Sequence, residues 1–584
     1  MRLATKRLVV KGACAAAVSC ALAVPAFANP NAPAVVNGQA NFHVSGKTLT
    51  VTNAPGTIIN WQGFSIAADE LTRFLQQSPV SAVLNRVVGA NPSEILGRLQ
   101  SNGRVFLVNP NGILFGAGSQ VDVAGLVAST LNLSNADFLA GRNAFSGGGE
   151  GRIANHGEIA TATGGKVYLI APQVENNGII RAPSGEIVLA AGSTVRLVDA
   201  NFPSIQVEVS AAGSDIPLGR LDAGGKVFTF LVKQSGVVSA SSAGIGAAGR
   251  VVLKSAGDID LAAVSRTEAS GATRGAVLLQ AARQIAFSGT IDARGSAAAG
   301  GSVAVEAPRI VVTYSGAIDV SGERGGRSTL IGTFTHFAGS IDARARGAGD
   351  GGFVEVSGRQ SLAFTGSVDT RAVAGRTGTL LIDPARIEVV AGSRSMPPAL
   401  SDGTWAANED AGTQIVGATE LSTLLATTSV TLQATTEVVV APDAVIEAPV
   451  ADRTLTLQAP RVLFQGTIRT AAAPVGLRIE ATQAQVSQAA RLELGGGRLE
   501  VEARTAMVEP AQEAARPQTQ AAQRRAEVTE SPQLAQLRAE VAAEIERENA
   551  RLAAALSRSC DKAGAPRLGC TVGGPPARRF AFAG

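Results

Sequence analysis

Short alternations of apolar and polar positions run through most of the chain. Lys47-Thr48-Leu49-Thr50-Val51-Thr52 alternates residue by residue, as do Ser429 to Ala434 and Leu499 to Glu502. A period of two over four to eight residues predicts half-buried strands. Val105 to Val108 is a continuous apolar run bounded by polar residues, which predicts a buried strand. Two stretches break the pattern. Ala67 to Gln77 places Leu71, Phe74 and Leu75 at helical spacing, predicting one short amphipathic helix. Ser531-Pro532 is an N-cap with proline at the first helical position. Leu534, Leu537, Val541, Ile545, Leu552 and Leu556 follow as one stripe, predicting an amphipathic helix over 531–558.

From Gly151 to Asp383 the strands recur in one grammar: a glycine, a short apolar strand, a polar or glycine-rich corner, then another strand. Apolar–Asp pairs at Ile291-Asp292, Ile318-Asp319, Ile341-Asp342 and Val368-Asp369 are spaced 27, 23 and 27 residues apart. Such periods predict a solenoid. Propeller blades need longer periods and recurring aromatics, and this chain is 4% aromatic. The fold expected is therefore all-β: a right-handed parallel β-helix with an N-terminal cap and a short α-helical C-terminal tail. At the spacing between paired strands, ~20 coils would stack to on the order of 100 Å. Asparagines at the corners can stack along the axis.

Composition supports this reading. The 66 glycines suit tight turns, and 17% charged residues is low for a helical protein. A formal charge of +4 with scattered Lys and Arg shows no basic stripe with interleaved aromatics, so no nucleic-acid partner is expected. Arg2, Lys6, Arg7 and Lys11 precede an apolar run, Ala13 to Val24, and the Ala26-Phe27-Ala28 cleavage site. Residues 1–28 thus read as a secretory signal peptide. Cleavage would leave Cys560 and Cys570, with nine residues between them that include two glycines and a proline, and a disulfide between them is expected in an oxidising compartment.

One block stands out, from Asn85 to Ser134. It contains Asn85-Arg86, Asn91-Pro92-Ser93, Asn102-Gly103, then Asn109-Pro110-Asn111-Gly112-Ile113, and finally Gly125 to Ser129. Asn at the first turn position, Pro at the second and Gly at the fourth favour a type I turn between two strands. In the order and wording of these motifs the block resembles the filamentous-haemagglutinin-type secretion domain of two-partner secretion exoproteins, a family that includes haemagglutinins and high-molecular-weight adhesins. The resemblance is specific over about Asn29 to Asp199 and architectural from there to Arg504.

The resemblance implies export across both membranes of a Gram-negative bacterium, to the medium or the cell surface. The implied partner is an outer-membrane transporter whose periplasmic modules recognise the domain. The secretion-motif residues implied are Asn109, Pro110, Asn111, Gly112 and Ile113, with Asn91, Pro92 and Ser93 as a second motif. The organisation expected is a signal peptide, 1–28; the secretion domain and start of the β-helix, 29–200; β-helix repeats, 201–505; a linker, 506–530; the helix, 531–558; and a cysteine-bounded tail, 559–584. Some adhesins of this system end in a cysteine-bounded loop that tethers them to the partner, and the tail carries that implication too.

The function expected is an adhesin that binds a host or bacterial surface glycan or protein, with self-association through the C-terminal helix. The alternatives are a contact-dependent toxin carrier and a secreted glycan-active enzyme. Catalytic chemistry is not expected. His43, His156 and His336 lie far apart and without ligand-spaced neighbours, and no metal site or cofactor is anticipated. Asp292, Asp319, Asp342 and Asp369 could line one face and hold sugar or calcium, but repeated aspartates after apolar residues more commonly form corners. Sugar clefts also want aromatic platforms, and Tyr168, Tyr314, Trp61 and Trp405 are the tyrosines and tryptophans available.

Overall fold

A computed structural model describes residues 29–148, 150–197, 207–210, 231–241, 249–272, 274–297, 299–393, 413–470 and 474–508. The chain divides into two compact units, Met1–Gln512 and Glu513–Gly584, and all the described residues lie in the first. The signal peptide, the linker beyond Val508, the helix over 531–558 and the Cys560–Cys570 loop fall outside the described residues.

The first unit is a parallel β-solenoid of about 15 turns. That is fewer than the ~20 the spacing predicts, in part because an antiparallel sheet outside the coil takes up residues without adding a turn. Three strand columns run along it. In one, Arg250–Ser255, Ala276–Ala281, the start of Ser302–Val312, Arg327–Phe337, Phe353–Phe364 and Thr379–Pro384 pair in parallel and in register. In a second, Leu231–Gln234, Asp258–Leu261 and Gln284–Phe287 follow one another. The third carries the apolar–Asp pairs, with Ile291, Ile318, Ile341 and Val368 in consecutive register and each at most 2% exposed.

Alternation decides what goes inside. Along Ser302–Val312, Val303, Val305, Ala307, Ile310 and Val312 are buried, while Ser302, Ala304, Glu306, Pro308, Arg309 and Val311 are exposed or half-buried. Inward residues of successive coils meet in a single apolar core running from Leu49 to Ala490.

The N-terminal end is closed by antiparallel strands. Ala34–Asn37 pairs with Thr57–Trp61, and Ala40–Ser45 pairs with Thr48–Asn53. Phe42 packs edge-on against Trp61, with ring centroids 5.6 Å apart. A cap of this kind covers the end of an otherwise open stack of parallel strands.

The predicted helix over Ala67 to Gln77 is a strand instead, Leu71–Leu75. It pairs in parallel with Thr48–Asn53 on one side and Arg98–Val108 on the other. Thr72 and Phe74 then point inward and Arg73 and Leu75 outward. Two backbone ladders outweigh the weak helical preference of so short a stripe. The converse occurs downstream. A helix, α2 (Ala418–Leu425), buries Leu421, Leu424 and Leu425 within the span expected to hold β-helix repeats, 201–505. The solenoid's last described strand, Leu499–Val508, runs slightly past its expected end at Arg504.

One layer has no counterpart in the sequence reading. Leu131–Leu133, Asn143–Gly148, Thr194–Leu197 and Val207–Ser210 form a four-stranded antiparallel sheet outside the coil. Between its first two strands lies a helical turn, α1 (Asn135–Leu139), capped by the Ser134 hydroxyl accepting from the Asp137 amide at 3.0 Å. Leu131, Leu133, Phe138, Phe145 and Val195 join a second apolar cluster with Ile58, Leu84, Phe106, Tyr168 and Ile170, which face outward from the coil. The sheet covers a solenoid face that would otherwise be greasy.

Candidate functional site

The Val105–Val108 run ends one coil's strand, and the Asn109 amide continues the ladder by donating to Ser129 O at 2.9 Å. Asn109 is itself fully buried, and its side chain serves three directions at once. Its Oδ1 accepts from the Asn111 amide at 3.0 Å, an Asx turn. Its Nδ2 donates to Asn91 O and to Ser93 Oγ, both at 3.0 Å. The Gly112 amide closes the turn onto Asn109 O at 3.2 Å.

Gly112 adopts φ +122°, where a side chain is strained. Its carbonyl accepts from the Ser93 amide at 3.0 Å, and the neighbouring Ile113 amide donates to Arg152 O in the next coil at 3.0 Å. Asn111 reaches back through Nδ2 to Gly89 O at 2.9 Å.

The two motifs expected from sequence are therefore one knuckle, stitched across adjacent coils. Asn109, Ser93, Gly112 and Ile113 are its buried frame. Asn111, Asn91 and Pro92 are its exposed tip, and Val88 beside them is 50% exposed.

Upstream residues of the same block brace it. Asn85, fully buried, accepts from Trp61 Nε1 at 3.0 Å and donates to Phe106 O at 3.2 Å. Arg86 donates to Leu133 O at 2.6 Å and to Asn135 Oδ1 at 2.9 Å, tying the coil to the outer sheet. Its partial burial lowers its pKa from the usual arginine value. These links were not legible in the sequence, since each joins residues separated by some twenty to fifty positions.

Downstream of the knuckle an amide ladder fills the core. Asn155 donates to Asn176 Oδ1 at 2.7 Å, and Asn176 donates to Gln234 Oε1 at 2.8 Å, all three fully buried and in register. Farther along the same column Leu261, Phe287, Val312 and Phe337 take over, and the core becomes apolar.

The repeated aspartates stack in register: Asp292 on Asp319, Asp319 on Asp342, Asp342 on Asp369. Like charges so placed repel, and arginines resolve the conflict. Arg294, Arg344 and Arg371 each sit two residues after an aspartate, grip it with the guanidinium, and donate their own amide to it at 3.0 to 3.1 Å. Asp319 has Ser321 at that place, bonded through Oγ at 2.6 Å, and draws on Arg294 and Arg346 at 3.7 and 3.5 Å. The carboxylates are corner-forming groups already matched to cations, which argues against a calcium or sugar site along this row.

The histidines lie apart. His43 and His156 are exposed, and His336 is buried on Arg327–Phe337, where burial lowers its pKa. Among the described residues there is no cluster of three or more His, Cys, Asp or Glu able to hold a metal ion.

The knuckle, the cap and the outer sheet all fall in one N-terminal segment, and a family model for the TPS secretion domain matches residues 26–214. These residues form a TPS secretion domain. Two curated relatives are both heme/hemopexin-binding proteins of Haemophilus influenzae. One is 32% identical over 236 residues, covering 38% of this chain and 24% of the relative. The other is 41% identical over 75 residues, covering 13% and 8%. The chain thus spans about a quarter or less of the length of these relatives. Among solved structures, the HMW1 secretion domain from Haemophilus influenzae aligns with 27% identity and a TM-score of 0.49, over 61% of this chain and all of that one. The segment matched by the family model, 26–214, contains every motif residue expected from sequence, and the described solenoid continues beyond it.

Proposed function

We propose that the chain is an exported exoprotein whose TPS domain is recognised in the periplasm by an outer-membrane partner transporter, with the downstream solenoid acting as a surface or secreted adhesin. The observation that carries the reading is the match of the TPS domain to residues 26–214, together with the exposed knuckle built there from Asn91, Pro92 and Asn111 on the buried Asn109 frame. A transporter needs a rigid, outward signal on an incoming chain, and this corner offers one. The solenoid beyond it offers long rows of outward polar side chains, which suits adhesion. Heme and hemopexin belong to the names of the relatives, and no arrangement of histidines among the described residues recommends them here.

The test is export with and without the cognate transporter, using wild type and Asn109→Ala. Asn109→Ala removes the side chain that joins the two halves of the knuckle. It should lower exported protein by about tenfold or more, as a loss of roughly 1.4 kcal/mol in recognition would, with the protein held in the periplasm. Export that persists without the transporter would defeat the reading.

A further inference from the structure

Beyond the TPS domain one face of the solenoid carries a groove of about 1600 Å³, lined from residues 274 to 500. Its floor is a column of glycines, Gly275, Gly301, Gly326, Gly352 and Gly378, one per coil. A Cβ on Gly301, Gly326 or Gly352 would stand 2.3 Å from the carbonyl oxygen of the preceding glycine, so side chains are shut out and the groove stays open. Hydroxyls run alongside in register: Thr379 beside Ser429, and Thr431 beside Thr456.

The walls are cationic, with seven arginines against three carboxylates. Four of these arginines are matched: Arg327 to Glu355, Arg371 to Asp369, Arg376 to Asp350, and Arg478 to Glu480 and Glu502. Arg274, Arg453 and Arg498 have no ion pair among the described residues.

Arg453 is the decisive one. It is only 7% exposed, its Nη1 donates to Ala451 O at 3.2 Å, and its Nε has no hydrogen-bond partner. The preceding Asp452 holds a left-handed backbone at φ +56°, a conformation that a non-glycine residue rarely adopts and that recurs at binding sites. Burial lowers the Arg453 pKa, while the nearby Asp452 and Asp369 oppose this only through space. A buried guanidinium without a paired anion is costly, and an anion entering the groove would relieve it.

We propose that this groove binds a linear anionic polysaccharide, with its carboxylate or sulfate groups against Arg453, Arg274 and Arg498 and its hydroxyls against the serine and threonine rows. Nucleic acid fits less well. The groove's one aromatic, Phe353, has its ring covered by the Arg327 guanidinium at 4.2 Å, leaving no free face for a base to stack on. The proposal gives the adhesin reading its ligand class and rests on that reading for its biological role.

The experiment titrates the purified exported protein with dextran sulfate, polygalacturonate and single-stranded DNA at ~0.15 M salt. Two variants accompany it: Arg453→Gln, and the double variant Arg274→Glu with Arg498→Glu. The double variant changes exposed side chains, so it keeps the test open should Arg453→Gln fail to fold. Binding of either polysaccharide, weakened about tenfold or more in the double variant at unchanged thermal unfolding, is the expected result. Preference between the two probes identifies sulfate or carboxylate as the group held. The proposal is overturned if neither polysaccharide binds, if the double variant binds as wild type does, or if DNA binds as tightly. Cell adherence is scored separately. Adherence that survives in a variant that has lost polysaccharide binding counts against the adhesin role of the groove, and leaves the groove's ligand standing.

Discussion

At Asp342 opposing influences act on one carboxyl. Burial pushes its pKa up, but the Arg344 side chain, the Arg344 amide and the charges of Arg344 and Arg346 together hold it below the ordinary carboxylate value. A carboxylate whose folded pKa is depressed contributes stability above its unfolded pKa, about 3.9, and loses it as pH falls through the folded value. Asp342→Asn should therefore lower the urea midpoint at pH 7, by an amount corresponding to about 1–3 kcal/mol for a hydrogen-bonded charge. The gap to wild type should narrow as pH drops below about 4. A gap independent of pH would mean that shape, not charge, sets the role of Asp342. The sequence showed these aspartates as corner residues through their recurrence after an apolar position. The arginines two residues on, Arg294, Arg344 and Arg371, were in plain sight and passed over, whereas the reach of Arg294 and Arg346 to Asp319 joins different coils and is not written in the spacing.

The elements teach a related lesson about range. Strand alternation was readable wherever both ladders and burial agreed with it, as in Ser302–Val312. It misled at Leu71–Leu75, where apolar spacing mimicked a helix and only the parallel neighbours on both sides decide the matter. The outer antiparallel sheet was not readable, since Asn143–Gly148 pairs with Thr194–Leu197 about fifty residues on and its own sequence is rich in glycine. Its attachment rests on Phe145, fully buried against the coil. Phe145→Ala should destabilise that attachment by about 3–5 kcal/mol. Hydrogen exchange should then quicken across Leu131–Leu133 and Asn143–Gly148 while amides of Ala276–Ala281 keep their protection. Uniform loss of protection in both places would show the sheet to be part of the solenoid's own folding unit.

For the solenoid as a whole, stacking makes each coil depend on its neighbours and little else. This also explains why the Asn109 knuckle was legible and the arginine groove was not. The knuckle's two motifs lie 18 residues apart and carry distinctive Asn-Pro pairs, whereas the groove gathers arginines from coils spread over more than two hundred residues. Stacking also fixes how damage should spread. Ile341 is 2% exposed and lies between Ile318 and Val368 in the core column. A charge there has no partner and cannot stay buried, so Ile341→Asp should open the coils that contain residues 318–368. Coils of the TPS domain, far along the stack, keep their own neighbours and should stay folded. Limited proteolysis of the variant should give a resistant N-terminal fragment that includes the TPS domain, with cuts concentrated near the substituted coil. If digestion instead runs through the whole solenoid at one rate, stability is shared globally and the nearest-neighbour account of this chain fails.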